Sequence, residues 1–132
     1  MGIAAILLCG GKGTRMIEGG VHTHKPLLEV GGMPATKFVA MKLRDGFSFS
    51  QTLIVVPNGR EEEYRFAMKG IDCQIITQSL PLGTGNAVYE SLKFLDEDIE
   101  DVYVSFGTQP LIKNETVQGC LNVHREINSD FT

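Results

Sequence analysis

Ile3-Ala4-Ala5-Ile6-Leu7-Leu8-Cys9-Gly10-Gly11-Lys12-Gly13-Thr14-Arg15-Met16 is the stretch from which the fold can be read. Its apolar run, Ile3 to Leu8, is unbroken and stops at glycine. That pattern predicts a fully buried strand, as in a parallel sheet covered on both faces. Glycines directly after such a strand let the backbone turn sharply and present its N–H groups, and nests of that kind bind anions. Lys12 and Arg15 add two cations close by. A buried strand that delivers N–H groups and positive charge to one point suits a phosphate.

Outward from this stretch, Met16 to His24 is polar and glycine-containing and reads as a mobile surface loop, His22 and His24 included. Lys25 to Val30 reads as a short extended piece, followed by a turn at Gly31-Gly32. Pro34 suits the first position of a helix whose inner side is Phe38, Val39, Met41 and Leu43, with Gly46 at its end. Thr52 to Val56 is a second buried strand, stopped by Pro57-Asn58-Gly59. Glu61-Glu62-Glu63 then favour a helix's first turn, with Tyr64, Ala67 and Met68 as its apolar stripe and Gly70 closing it. Cys73 to Thr77 is a third strand. The loop Gln78–Gly85 leads to a helix with Val88, Leu92 and Leu95 inward. Asp101 to Phe106 is a fourth strand. Asn114 is the expected N-cap of a last helix whose stripe is Val117, Cys120, Leu121 and His124. Fourfold alternation of strand and helix predicts α/β architecture: one domain over residues 1–132, three-layer α/β/α and Rossmann-like, with a mostly parallel sheet. Ligands in such sheets sit beyond the carboxyl ends of the strands, here loops 9–16, 57–60, 78–85 and 107–111.

With 132 residues, 42% of them hydrophobic, the chain is long enough for a real core. A net charge of −4 without a basic stripe argues against nucleic acid as a partner. Met1-Gly2 leads straight into a strand without the features of a signal peptide, and no run approaches the roughly 20 apolar residues of a membrane span. Ile6-Leu7 stand where a myristoylation motif wants Ser or Thr. Three cysteines, never spaced C-x-x-C, fit reduced thiols. The expectation is a cytoplasmic protein without a membrane partner.

The common phosphate motifs fail. Gly13 follows Gly11-Lys12 where a P-loop needs Ser or Thr, and Met16 takes the last glycine place of G-x-G-x-x-G. What is present is Leu8 to Met16, then His24-Lys25-Pro26-Leu27-Leu28, then Gln78 with Leu82-Gly83-Thr84-Gly85-Asn86-Ala87, then Phe106-Gly107-Thr108-Gln109-Pro110-Leu111. These four blocks, in this order, resemble the nucleotidyltransferase superfamily. The likeness is strongest to sugar-1-phosphate nucleotidyltransferases such as the domain that makes UDP-N-acetylglucosamine, and the molybdenum-cofactor guanylyl- and cytidylyltransferases are related. It covers residues 3 to about 125, the nucleotide-binding half of the nucleotide-diphospho-sugar transferase fold.

The resemblance implies an activity: an acceptor phosphate attacks the α-phosphorus of a nucleoside triphosphate, and pyrophosphate leaves. Both partners are anionic, so positioning and charge neutralisation carry such a reaction. It implies that backbone groups of Leu8, Cys9, Gly10 and Gly11 approach the nucleotide. Lys12, Gly13 and Arg15 would hold the β- and γ-phosphates, Thr14 would belong to the nucleotide site, and Arg15 and Lys25 would be catalytic, Lys25 at the α-phosphate. Gln78, Gly83 and Thr84 would read the base, an amide being able both to donate and to accept. Phe106 and Gly107 would complete the nucleotide site. Cys9 stands where the family commonly has alanine, and reads as a small residue rather than a nucleophile. His124, on an apolar stripe, reads as packed.

The chain departs from the family pattern in three places. Thr108 occupies the position of the aspartate that binds catalytic magnesium, and a hydroxyl brings no charge. Asp98, Glu100 and Asp101 lie at the far end of the fourth strand, roughly 20 Å off, and cannot substitute. The family's catalytic domains are substantially longer, and their second half carries the acceptor site, so the fold reads as truncated: either a fragment, or a naturally short chain whose site another chain completes, with a homo-oligomer or a completing chain as the expected partner. The spacing from Arg15 to Lys25 also exceeds that of the uridylyltransferases by a few residues. Two functions follow: transfer of an NMP to a sugar 1-phosphate or similar acceptor with magnesium as cofactor, or nucleotide binding without catalysis. A flavodoxin-like or receiver domain would need an acidic pair after the first strand, which is missing.

Overall fold

Gly2–Leu8 forms β1, and every one of its residues is buried, as a strand covered on both faces requires. The computed structural model describes residues 2–11 and 14–132, the side chains of residues 14 and 15 excluded. After β1 come α1 (Thr14–Glu18), a single 3-10 turn at Lys25–Leu27, β2 (Glu29–Val30), β3 (Met33–Pro34) and α2 (Ala35–Gly46). Then β4 (Gln51–Pro57), α3 (Glu61–Ala67), β5 (Gln74–Gln78), α4 (Thr84–Leu92), β6 (Ile99–Phe106) and α5 (Asn114–Glu126) alternate. β2 and β3 form a small antiparallel hairpin around the expected glycine turn. The remaining strands make one parallel sheet in the order β5-β4-β1-β6.

That order has a consequence for the site. From β1 the chain steps outward through β4 to β5, with α2 and α3 on one face. It then returns by α4, on the opposite face, to β6 on the other side of β1. Right-handed crossovers demand this change of face when the direction of travel reverses. The reversal leaves a crevice beyond the carboxyl ends of β1 and β6.

Alternate residues of β1 feed two cores. Ala5, Leu7 and Cys9 join Ile54 and Val56 of β4, Val39, Ala40 and Leu43 of α2, Tyr64 and Met68 from the α3 segment, and Val117 of α5. Ile6 and Leu8 join Leu53, Val55, Ile76 and Ala87 beneath α4. Ile6 and Leu7 have no exposed surface, and each contributes about 1.5–3 kcal/mol by leaving water. The three-layer α/β/α reading holds.

Several local expectations are corrected. Residues 16–24 are not one loop: Met16 to Glu18 belong to α1. The helix ends in a Schellman motif, Val21 N–H on the Met16 carbonyl and Gly20 N–H on that of Ile17, with Gly20 at φ 85°. Five residues are too few to show a period. Lys25–Leu27 turns rather than extends. Pro34 caps α2 instead of entering it, and α2 buries Ala35, Thr36, Val39, Ala40 and Leu43, leaving Phe38 and Met41 half-buried. Small residues at these positions bring the helix close to the sheet. The same holds for α4, which buries Ala87 and Ser91, while Leu92, expected inside, is 45% exposed. Lys113, not Asn114, caps α5, and Cys120 is exposed. His124 is half-buried and bonded to Asp101 and Thr132 rather than packed in an apolar stripe.

β6 is an edge strand. Its residues Val102, Val104 and Phe106 pair in register with Ala4, Ile6 and Leu8 and so share the face that α4 covers elsewhere. α4 does not reach them, and they are 39%, 40% and 41% exposed.

Candidate functional site

A cleft of about 880 Å³ opens at the predicted end of the sheet, within the size range of small-molecule sites. β1 ends in it at Leu8, β5 at Gln78 and β6 at Phe106. Gly10, Gly11, Lys25, Gly83, Thr84 and Thr108 also line it, so all four sequence blocks converge on one cavity. The loop 57–60 does not take part. Lys12, Gly13 and the side chains of Thr14 and Arg15 lie outside the described residues.

The sheet settles which backbone groups remain for a ligand. Cys9 N–H donates to the Val55 carbonyl at 2.8 Å, and Gly107 N–H donates to the Leu8 carbonyl at 3.0 Å. β1 is thereby bonded to both neighbours up to its last residue, and the Cys9 N–H expected at the nucleotide is spent on β4. No bond among the described residues occupies the N–H groups of Gly10 and Gly11. Gly10 lies against Gln78: a Cβ there would stand 3.3 Å from Oε1.

Gln78 is buried, and its amide is less versatile than its residue type implies. Nε2 donates to the Gly83 carbonyl at 3.1 Å and to Asn86 Oδ1 at 2.9 Å. A backbone carbonyl can only accept, which fixes the amide orientation and consumes both donors. Oε1 remains, an acceptor beside Gly10. Gly83 has φ 94° and ψ 177° just before α4, a conformation essentially confined to glycine. Thr84 then begins α4, whose first N–H groups favour negative charge.

Lys25 is exposed at the cleft's lip and, among the described residues, pairs with no carboxylate. Pro26 behind it is buried, and its carbonyl accepts from Thr36 Oγ1 at 2.8 Å. Gly107 lies beneath the cleft instead of lining it. Its carbonyl accepts from Thr36 Oγ1 at 3.4 Å, and a Cβ on it would sit 2.5 Å from Cys9 Sγ. The Cys9 thiol is buried, and desolvation pushes its pKa up to about 12 against its bonds to Thr36 and Tyr64. A thiol held neutral is no nucleophile, in accord with its reading as a small residue.

One residue of this region escaped the sequence. His24, expected in a mobile loop, is 3% exposed and lines the cleft floor. Its Nε2 lies 2.9 Å from the Gly11 carbonyl and its Nδ1 2.5 Å from the Tyr64 hydroxyl. The carbonyl must accept, so Nε2 carries the hydrogen and Nδ1 accepts from Tyr64. Burial lowers the His24 pKa; the Gly11 bond opposes this, Arg60 adds to it and Glu63 opposes it. Burial likewise pushes the Tyr64 hydroxyl well above its usual range. The sequence carried one indirect signal: a tyrosine on the inner face of a helix needs a polar partner.

The donor set does not suit a protein-held magnesium ion. Thr108 offers a neutral hydroxyl, the described lining contains no carboxylate, and no group of three His, Cys, Asp or Glu occurs among the described residues. Magnesium is ordinarily held through one or two carboxylates together with substrate phosphates. Asp101, at the far end of β6, is engaged by His124 at 3.2 Å. No helix among the described residues is long and apolar enough to cross a membrane.

Known proteins share both sequence and architecture with this chain. The bifunctional protein GlmU of Synechococcus sp. (strain JA-3-3Ab) is 30% identical over 131 residues, 98% of this chain and 20% of its own length. The GlmU of Cutibacterium acnes is 36% identical over 124 residues, 93% of this chain and 29% of its own. The chain therefore spans less than a third of either relative. The crystal structure of 4-diphosphocytidyl-2C-methyl-D-erythritol synthase from Anaerococcus prevotii superposes with a TM-score of 0.73 at 21% identity. That match covers 94% of this chain and 51% of the other. A sequence model of the MobA-like NTP transferase domain matches residues 5–132. The converging blocks, the switch point between β1 and β6 and this match agree: the chain belongs to the MobA-like NTP transferase family.

Proposed function

We propose that the cleft binds a nucleoside triphosphate and that the protein transfers its NMP to a phosphorylated acceptor, a sugar 1-phosphate in the first instance, releasing pyrophosphate. One observation carries the reading: residues from four distant blocks, Gly10, Lys25, Gln78 and Thr108, line a single cleft in a member of an NTP transferase family. In this reading the Gly10–Gly11 backbone and the cations Lys12 and Arg15 take the β- and γ-phosphates. Lys25 reaches the α-phosphate, where charge grows in the transition state, and cations placed there lower the barrier without moving. Gln78 Oε1 faces the base as an acceptor, favouring a base edge with an N–H. Leu8, Gly83 and Phe106 form the walls, and Cys9 and Gly107 support the site from below. No step is assigned to a metal, because the donors at Thr108 do not fit one.

A second reading, nucleotide binding without turnover, is favoured by Thr108, a neutral hydroxyl in a described lining that holds no carboxylate. The uncovered strip Val102-Val104-Phe106 supports a further polypeptide or a second copy at β6. Titration of ATP, CTP, GTP, UTP and dTTP by calorimetry, followed by pyrophosphate release with a panel of sugar phosphates, tests both. Turnover by the wild type refutes the second reading; absence of binding to every triphosphate refutes both. If Thr108→Asp binds NTP yet stays inert, the missing carboxylate is not what limits the chain.

A further inference from the structure

Two hydrogen-bonded clusters beneath the cleft meet where the Tyr64 hydroxyl neighbours the Cys9 thiol. Gly11's carbonyl accepts from His24, His24 accepts from Tyr64, and the Tyr64 hydroxyl neighbours the Cys9 thiol. Cys9 Sγ lies 3.4 Å from Thr36 Oγ1, which donates to the Pro26 carbonyl and approaches that of Gly107. Together they link the glycine turn, the turn carrying Lys25, the end of β6 and two helices. His24 is the one member joined to the glycine turn by a side chain. No buried side-chain polar atom among the described residues lacks a partner, so the network is complete before any ligand arrives. Among the described residues, the charged groups that act on His24 are Arg60 and Glu63, of opposite sign.

We propose that His24 is the positioning residue of this site: its paired bonds to Gly11 and Tyr64 hold the glycine turn in its ligand-ready shape. The inference rests on the nucleotide reading of the cleft for its consequence, but not for its geometry. A completed buried network rigidifies what it joins, so the turn's order should depend on His24 whatever the ligand is.

The test compares wild type with His24→Ala, His24→Gln and Tyr64→Phe. Glutamine keeps one donor and one acceptor. Backbone 15N order parameters in the ligand-free protein are read at Gly10 and Gly11, with Leu53 to Val56 of β4 as internal reference, beside the Kd of the preferred triphosphate. In His24→Ala, loss of the carbonyl's partner should lower the order parameters of the two glycines from about 0.85 to below about 0.6 while β4 stays rigid, and raise Kd by about tenfold. His24→Gln should recover most of both. Should His24→Ala not fold, Tyr64→Phe, which loses a single hydroxyl, must still lower the order parameters of the two glycines selectively. Unchanged order parameters at Gly10 and Gly11 in folded variants, or a fall matched in β4, overturns the proposal. If the order parameters respond while wild type binds no triphosphate, the positioning role stands and the nucleotide reading is what fails.

Discussion

Gly107→Ala tests how tightly the floor of the cleft is packed. The added Cβ would stand 2.5 Å from Cys9 Sγ and 2.6 Å from Thr36 Oγ1, far inside van der Waals contact. Neither neighbour can swing away, since Cys9 is 1% and Thr36 0% exposed. The backbone cannot retreat cheaply either, because Gly107 N–H is bonded to the Leu8 carbonyl. Overpacking of this kind costs about 1–3 kcal/mol. If Thr36 yields and loses its 2.8 Å bond to Pro26, a further 0.5–1.5 kcal/mol or so is lost. The expected destabilisation is about 2–4 kcal/mol, a large share of the 5–15 kcal/mol or so typical of a domain. Urea unfolding followed by circular dichroism should show a lower midpoint at unchanged slope. Cys9→Ala removes the nearer clash, so the double variant should be more stable than the sum of single effects predicts, by at least about 0.5 kcal/mol. A Gly107→Ala protein within about 0.5 kcal/mol of wild type, or strict additivity with Cys9→Ala, would refute the packing argument.

Stability should fall in acid through His24. Its folded pKa is depressed by burial, so the unfolded chain binds the proton more readily, and the contribution present above pH 6.5 is lost as pH drops from there toward the folded value. His24→Gln should flatten the urea midpoint across that window, and an unaltered slope would show that His24 does not cause it. Arg15→Ala and Lys25→Ala should each weaken triphosphate binding by about 1.5–3 kcal/mol through lost charge-assisted bonds; unchanged calorimetric affinity in both would remove the phosphate assignment. Gly83→Ala meets no neighbouring atom but imposes a side chain at φ 94°, so about 1–3 kcal/mol of strain should appear in unfolding experiments, and none would mean that the backbone relaxes freely.

How much of this was legible in the sequence varied with the kind of signal. β1, β4 and the parallel sheet were readable because a strand buried on both faces leaves an uninterrupted apolar run, as in Ile3–Leu8 and Leu53–Val56. The positions of Gly10, Lys25, Gln78 and Thr84 at one end of the sheet followed from strand order and family pattern. Helix faces were read less well, because close packing selected Ala35, Thr36, Ala87 and Ser91, residues whose size rather than hydrophobicity fits them to the sheet. A hydropathy stripe therefore pointed to Phe38 and Leu92 instead. His24 was invisible for another reason: its partners, Gly11 and Tyr64, are distant in sequence, and a lone histidine among polar residues looks solvated until the fold brings them together. The commitments of the Cys9 N–H and of the Gln78 amide were equally out of reach, since residue type states what a group can bond and not what it already has.

Phe106 joins the two ends of the functional argument. It lines the cleft, and it also ends the uncovered strip that begins at Val102. A polypeptide seated on that strip must therefore form part of the cleft wall. The proposed cleft and the uncovered strip are then one question, because whatever shields Val104 also lines the cleft beside Phe106. Covering the strip would bury three half-exposed apolar side chains on the face that α4 covers elsewhere, whereas the outer backbone groups of β6 would be paired only by a strand added alongside it. The same contact would protect the sheet and close the site, so loss of one should be accompanied by loss of the other.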